Sequence, residues 1–251
     1  MTLKAFEILD KNGFTKPDGS WYELTSAIDK EEGSFLHSLI KQYQPKNTLE
    51  IGCAEGLSSM VICESIGSTG KHTIIDAFQS TDWSNHGIYN LKKAGFDNFT
   101  LIEERSELVL PQLLKEGKKY DFVFVDGWHT FDHVLVEFFY INNLLPVGGV
   151  VAFDDTGLTG INRVMRYISN YPNFECLGSV GDHPKTLKRR ALTGMKKAVN
   201  AAFSPLGQRI KKELLNDTVL RTDKELKLNG TVTAFRKTAE DKRHWAWYEH
   251  F

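Results

Sequence analysis

Leu49-Glu50-Ile51-Gly52-Cys53-Ala54-Glu55-Gly56-Leu57-Ser58 joins an apolar strand to a Gly-x-x-x-Gly bend and the start of a helix. Glycines at such a bend let the backbone pass close to a ligand, and the helix behind them offers unpaired N–H groups. The spacing differs from the Gly-x-Gly-x-x-Gly dinucleotide fingerprint, and the Gly-Lys-Ser/Thr ending of a phosphate loop is missing. The same ten residues also suit a turn that serves helix–strand packing alone.

Outward from this stretch the alternation continues. β-rich runs at 48–51, 72–76, 99–102, 120–126 and 150–154 alternate with helix-period segments at 57–66, 88–94, 107–115 and 131–145, the pattern of a parallel sheet with crossover helices. Runs at 174–179 and 231–235 predict two more strands, pairing as an antiparallel edge. Ahead of the sheet, turns at Asn12-Gly13 and Pro17-Asp18-Gly19-Ser20 precede a helix expected over 34–43. The expectation is an α/β chain with a doubly wound, seven-stranded, mostly parallel sheet and an antiparallel edge strand. Residues 1–33 form an N-terminal helical lead-in and 34–251 a single domain, into which a basic helical segment is inserted at 183–215.

The 251 residues, 41% hydrophobic and 25% charged, suffice for a substantial core and exclude a disordered, collagenous or disulfide-stapled chain. A net charge of −1 argues against a protein built to coat nucleic acid. That average conceals an asymmetry: residues 183–212 carry nine Lys and Arg and no acid, leaving 22 basic against 32 acidic residues elsewhere, a net of −10. Cys53, Cys63 and Cys176, odd in number and scattered, read as small buried hydrophobes in a reducing compartment. Lys4 and Glu7 fall where a signal peptide would be apolar, and no run approaches the ~20 apolar residues of a membrane span. The protein is expected to be soluble and cytoplasmic.

In open parallel sheets ligands bind beyond the carboxyl ends of the strands, and Gly52, Asp76, Asp126 and Asp154 all fall at such ends. Asp76, twenty-six residues after Glu50, stands where an acid accepts hydrogen bonds from a ribose diol. Asp126, Asp154 and Asp155 supply three hard carboxylates at two neighbouring strand ends, suited to magnesium or a similar divalent ion. The plainer alternative is that these acids only cap the turns that follow them. His129 and His133 are four apart, as in zinc helices, yet the Glu of His-Glu-x-x-His is missing.

Glu50-x-Gly52-x-x-x-Gly56 with Asp76 resembles the class I S-adenosylmethionine-dependent methyltransferases, whose sheet is Rossmann-like. Val125-Asp126-Gly127-Trp128-His129-Thr130-Phe131 and Gly148-Gly149-Val150-Val151-Ala152-Phe153-Asp154-Asp155-Thr156 further resemble the metal-dependent sugar O-methyltransferases that act on macrolide deoxysugars, as does the tail Trp245-Ala246-Trp247. The resemblance implies an O-methyltransferase with S-adenosylmethionine held by Glu50, Gly52, Cys53, Gly56, Ser58, Asp76, Gln79, Ser106 and Asp126. It implies a divalent metal, magnesium foremost, on Asp126, Asp154 and Asp155, holding the acceptor's vicinal hydroxyls. His129 falls at the family's catalytic-base position beside Asp126, and a neutral imidazole with a pKa of about 6.5 suits that task. Ser106, Gln79 and Trp83 lie where such an enzyme encloses the adenine and the cofactor's open side.

The acceptor expected is a small molecule or glycan, a sugar hydroxyl before an aromatic diol. Arg163 and Arg166, on a helix after Asp154-Asp155, stand ready for an acidic acceptor or merely for solvent. On a helical wheel Leu187, Ala191, Leu192, Met195, Ala198, Val199, Ala202 and Phe203 share one half opposite Arg189, Arg190, Lys196 and Lys197, an amphipathic basic helix. Residues 185–212 thus suit peripheral contact with an anionic membrane or glycan, and equally a cover over the cleft or a homo-oligomer interface. A noncatalytic scaffold that keeps the cofactor fold is the reading from another class. An RNA methyltransferase is disfavoured by the acidic body, so no nucleic-acid partner is expected.

Overall fold

The structure, a computed structural model, describes residues 2–181, 194, 195, 198 and 221–251. Helices α1 (Lys4–Lys11) and α2 (Lys30–Tyr43) flank a hairpin of β1 (Gly13–Thr15) and β2 (Trp21–Glu23). Then come β3 (Asn47–Ile51), α3 (Leu57–Ile66), β4 (Lys71–Ile75), α4 (His86–Lys93), β5 (Phe99–Ile102), α5 (Ser106–Lys115), β6 (Phe122–Val125), α6 (Phe131–Leu144), β7 (Val150–Phe153) and α7 (Thr159–Ile168). The chain closes its sheet with β8 (Phe174–Val180) and β9 (Val232–Lys237).

Strand order in the seven-stranded sheet is β5-β4-β3-β6-β7-β9-β8, with β9 antiparallel to both its neighbours. The central strands are buried on both faces, which is why Phe122–Val125 and Val150–Phe153 read as unbroken apolar runs. Their side chains alternate between two cores. Val123, Val125, Val151 and Phe153 join α5, α6 and α7 on one side, and Phe122, Phe124, Val150 and Ala152 join α1 to α4 on the other. The sequence expectation of a doubly wound sheet with an antiparallel edge is the architecture observed. The basic helix expected within 183–215 lies outside the described residues, apart from 194, 195 and 198.

Two expectations require correction. The lead-in holds a hairpin as well as a helix; its three-residue strands are too short to leave an alternating signal. Helix α2 starts at Lys30 rather than 34, because the Asp29 side chain accepts from Glu32 N at 2.8 Å while Glu32 Oε2 accepts from Asp29 N at 2.8 Å. This reciprocal cap satisfies two N–H groups at the helix start and sets its first turn.

Candidate active site

A cavity of about 800 Å³ opens over the carboxyl ends of β3, β4, β5 and β6, lined there by Gly52, Cys53, Asp76, Ser106 and Asp126, a volume suited to a nucleoside-sized ligand. Gly52 makes the approach of two strand ends feasible. Its φ is +87°, and a Cβ on it would stand 1.9 Å from the Asp126 carbonyl oxygen. No other residue fits that bend without moving β6 away.

Asp76 leaves β4 nearly fully buried, and its carboxylate organises the bend. Oδ2 accepts from Cys53 N at 3.0 Å, Ala54 N at 3.1 Å and Gln79 Nε2 at 2.9 Å, while Oδ1 accepts from Phe78 N at 2.9 Å. The expected ribose acceptor is thus foremost the anchor of the glycine turn, lining the cavity with four N–H donors already on it. Gln79 works beside it, donating also to Ala54 O at 2.8 Å. Glu50, Gly56, Ser58 and Gln79, expected on the cofactor, do not line the cavity. Strand alternation sends the Glu50 side chain to the opposite face, where it is fully buried, 3.1 Å from His72 Nε2 and hydrogen-bonded by Ser59 Oγ. Gly56 caps α3, and a Cβ there would come within 2.8 Å of Gly87 Cα, so it serves packing. Ser58 is buried in the first turn of α3.

At the other wall, Asp126 follows β6 and His129 lies three residues on. His129 Nε2 is 3.2 Å from Asp126 Oδ1, and Nδ1 is 2.7 Å from Asp155 Oδ2. Hydrogen bonds to Asp126 and then Asp155 push the imidazole up to about 10, against a smaller opposing effect of burial. With both nitrogens engaged by carboxylates, this arrangement favours the protonated ring over the neutral base expected. His133 also lines the cavity, with its Nδ1 2.9 Å from Thr130 Oγ1, and no metal-holding cluster forms around the two histidines among the described residues.

Burial raises both Asp126 and Asp154, and Asp154 is raised further by the negative charges of Asp126 and Glu32. Two adjoining carboxyls that share a hydrogen bond, with the charge of Asp126 opposing ionisation of Asp154, are the donor chemistry that a hard divalent cation neutralises. Among the described residues, no three His, Cys, Asp or Glu groups converge as a ready metal cage. Asp126 and Asp154 fit the cation by chemistry, and Asp155 reaches the same place through His129. Arg166, considered for an acidic acceptor, is instead buried and bonded to Asp223 Oδ1 at 2.9 Å and to Arg221 O at 2.9 Å. Arg163 on the same helix is exposed.

Three acids escaped the sequence reading. Glu55, within the glycine turn and fully buried, accepts from Thr25 N at 2.9 Å and Thr25 Oγ1 at 2.8 Å, and from Ser26 N, tying to the turn a segment whose Ser26 lines the cavity. Glu32 accepts from Thr231 Oγ1 at 2.5 Å and adds negative charge behind Asp154. Glu137 of α6 lines the cavity and accepts from Ser106 Oγ at 2.7 Å. Its signal was an acid amid Val134, Phe138 and Ile141, the buried stripe of its helix.

A family model described as "Methyltransferase domain" matches residues 49–156. Tapetum-specific methyltransferase 1 of Arabidopsis thaliana is 37% identical over 131 residues, 51% of this chain and 54% of the relative. Caffeoyl-CoA O-methyltransferase 2 of Petunia hybrida is 34% identical over 140 residues, 54% of this chain and 55% of the relative. The chain thus spans about half the length of these curated relatives. Among solved structures, an O-methyltransferase from Bacillus cereus in complex with SAH superposes with a TM-score of 0.58 at 19% identity, over 70% of this chain and 83% of that one. TomG of Streptomyces achromogenes, solved with SAM, gives 0.54 at 23% identity, over 69% and 78%. These superpositions bear on the fold alone. Residues 49–156 thus match a methyltransferase-domain model, and the chain shares the fold of these O-methyltransferase structures.

Proposed function

We propose that this chain is an S-adenosylmethionine-dependent O-methyltransferase acting on an acceptor with neighbouring hydroxyls. The observation that carries the reading is the Asp126–His129–Asp155 clasp, whose Asp126 and His129 line a cavity floored by the glycine turn and whose Asp155 stands behind His129. S-adenosylmethionine bound there would supply an electrophilic methyl: a C–O bond would form to the acceptor oxygen as the C–S bond breaks, the electron pair of that bond staying on sulfur as a neutral thioether. The hydroxyl proton departs into the clasp. His129 would take it in its neutral form, in which one ring nitrogen is bare, and Asp126 and Asp155 are the groups that hold and orient the ring. Asp126, Asp154 and Asp155 are the residues that would hold a divalent cation. Such an ion supplies Lewis-acid charge that lowers the pKa of an acceptor hydroxyl. Glycine-turn backbone and Asp76 place the cofactor, so that positioning supplies much of the rate.

The caffeoyl-CoA O-methyltransferases among the relatives favour an aromatic diol, and Phe78, Trp83 and Trp128 along the cavity suit a planar acceptor. The sugar diol expected from the 125–131 and 148–156 motifs is the second reading. Residues 185–212 remain a proposal for contact with an anionic membrane or glycan on charge alone; no helix among the described residues is long and apolar enough to cross a membrane.

Calorimetric titration with S-adenosylmethionine, before and after chelation and with magnesium restored, tests the reading. Micromolar binding is expected, with methyl transfer to a diol stimulated by magnesium; absence of binding in every condition overturns it. Aromatic and sugar diols offered in competition decide the acceptor.

A further inference from the structure

Glu137 is 1% exposed, sits on α6 beneath the cavity and lines it. Ser106 Oγ, at the start of α5, donates to Oε1 at 2.7 Å, which leaves Oε2 without a partner in the protein. Among the described cavity-lining side chains, this is the one buried oxygen so placed. A buried acceptor left unpaired is costly, and in native proteins such a group marks a place completed by something else. Gly127 keeps the space beside it narrow: a Cβ there would stand 3.6 Å from Glu137 Oε1 and 3.0 Å from Ile51 Cγ2.

We infer that Glu137 reads the amino-bearing edge of the cofactor's adenine, its Oε2 accepting an N–H from the exocyclic amine while Ser106 holds the carboxyl in place. This rests on the S-adenosylmethionine reading above and adds a specificity-determining residue to it. A carboxyl oxygen with its neighbour already hydrogen-bonded calls for an N–H or O–H donor from the ligand. S-adenosylmethionine has two N–H-bearing ends. An ammonium has three donors to satisfy, and this end of the cavity presents one free buried acceptor. The planar amine of a purine, inserted edge-on, is satisfied there by one oxygen at depth and by solvent or backbone outside. Burial also pushes the Glu137 carboxyl up to about 7, so a donor from the ligand relieves a group that the empty protein holds uneasily.

The test is a cycle of two ligands and three proteins. S-adenosylhomocysteine and its 6-deamino analogue are titrated calorimetrically into the parent chain, Glu137→Gln and Glu137→Leu. The parent is expected to prefer the amino-bearing ligand by about tenfold, the worth of one well-formed hydrogen bond. Glu137→Gln, which keeps an acceptor oxygen, should retain the preference, and Glu137→Leu should bring the two ligands to equal affinity. An undiminished preference in Glu137→Leu overturns the assignment, as does equal affinity for both ligands in the parent, which needs no variant to fold. If the parent binds neither ligand, the cofactor reading itself fails, an outcome distinct from loss of preference with binding intact.

Discussion

A single buried carboxyl changes how the protein responds to pH. Burial is the main reason that Glu137 rises from its ordinary 4.5 to about 7, helped by the negative charge of Glu107 and opposed by the Ser106 hydrogen bond. A carboxyl that holds its proton more tightly folded than unfolded contributes stability below its unfolded pKa, and that stability is lost as pH rises through the folded value. Glu137→Gln is therefore expected to flatten the fall in unfolding free energy from about pH 5 to pH 8 and, at the upper end, to exceed the parent by up to ~3 kcal/mol. Denaturant melts across that range measure it; parallel pH curves for parent and variant would remove burial of this carboxylate as a cause. Hydropathy patterning marked the position as interior, while the unpaired oxygen emerges only when α6 is packed beside Ser106.

At the scale of elements, legibility followed burial and length. The 57–66 helix and 99–102 strand match α3 and β5 residue for residue, because glycines at 56 and 67 bound the first and the β-rich Phe99-Thr100-Leu101-Ile102 follows the Gly95 turn. The strand-end acids were legible for the same reason, since fixing the strands fixes which residue follows each. What stayed hidden depended on contacts between distant segments: the hairpin β1–β2, the earlier start of α2, and the direction of the Glu50 side chain. Glu55 is the clearest such case, because it joins the glycine turn to residues 25 and 26. Replacing it by Ala strands three donors that now share its carboxylate, at about 1–3 kcal/mol. Limited proteolysis should then cut the 16–29 segment faster while the sheet stays intact; an unchanged cleavage rate would mean that the β1–β2 hairpin holds this segment without Glu55.

For the whole molecule, the proposed function divides the site into a cofactor half on β3 and β4 and an acceptor half on β6 and β7, joined where the backbone of Gly52 passes close to that of Asp126. The two halves should therefore fail separately. A ligand that binds only the folded state at 100 times its Kd adds about 2.7 kcal/mol of stability, which in a chain of this size raises Tm by roughly 5–10 °C. Saturating S-adenosylhomocysteine is expected to produce such a shift in the parent and in Asp155→Ala, since Asp155 lies beyond His129 from the glycine turn. Asp76→Ala, which removes the acceptor of the Cys53, Ala54, Gln79 and Phe78 donors, should unfold earlier without ligand and shift little with it. Turnover measured alongside should reverse the order: Asp155→Ala loses the magnesium-stimulated rate although it binds cofactor, because the acid that positions His129 and would ligate the ion is gone. Equal loss of the ligand-induced shift in both variants would contradict the division, and would mean that the Gly52–Asp126 junction transmits damage from either half to the other.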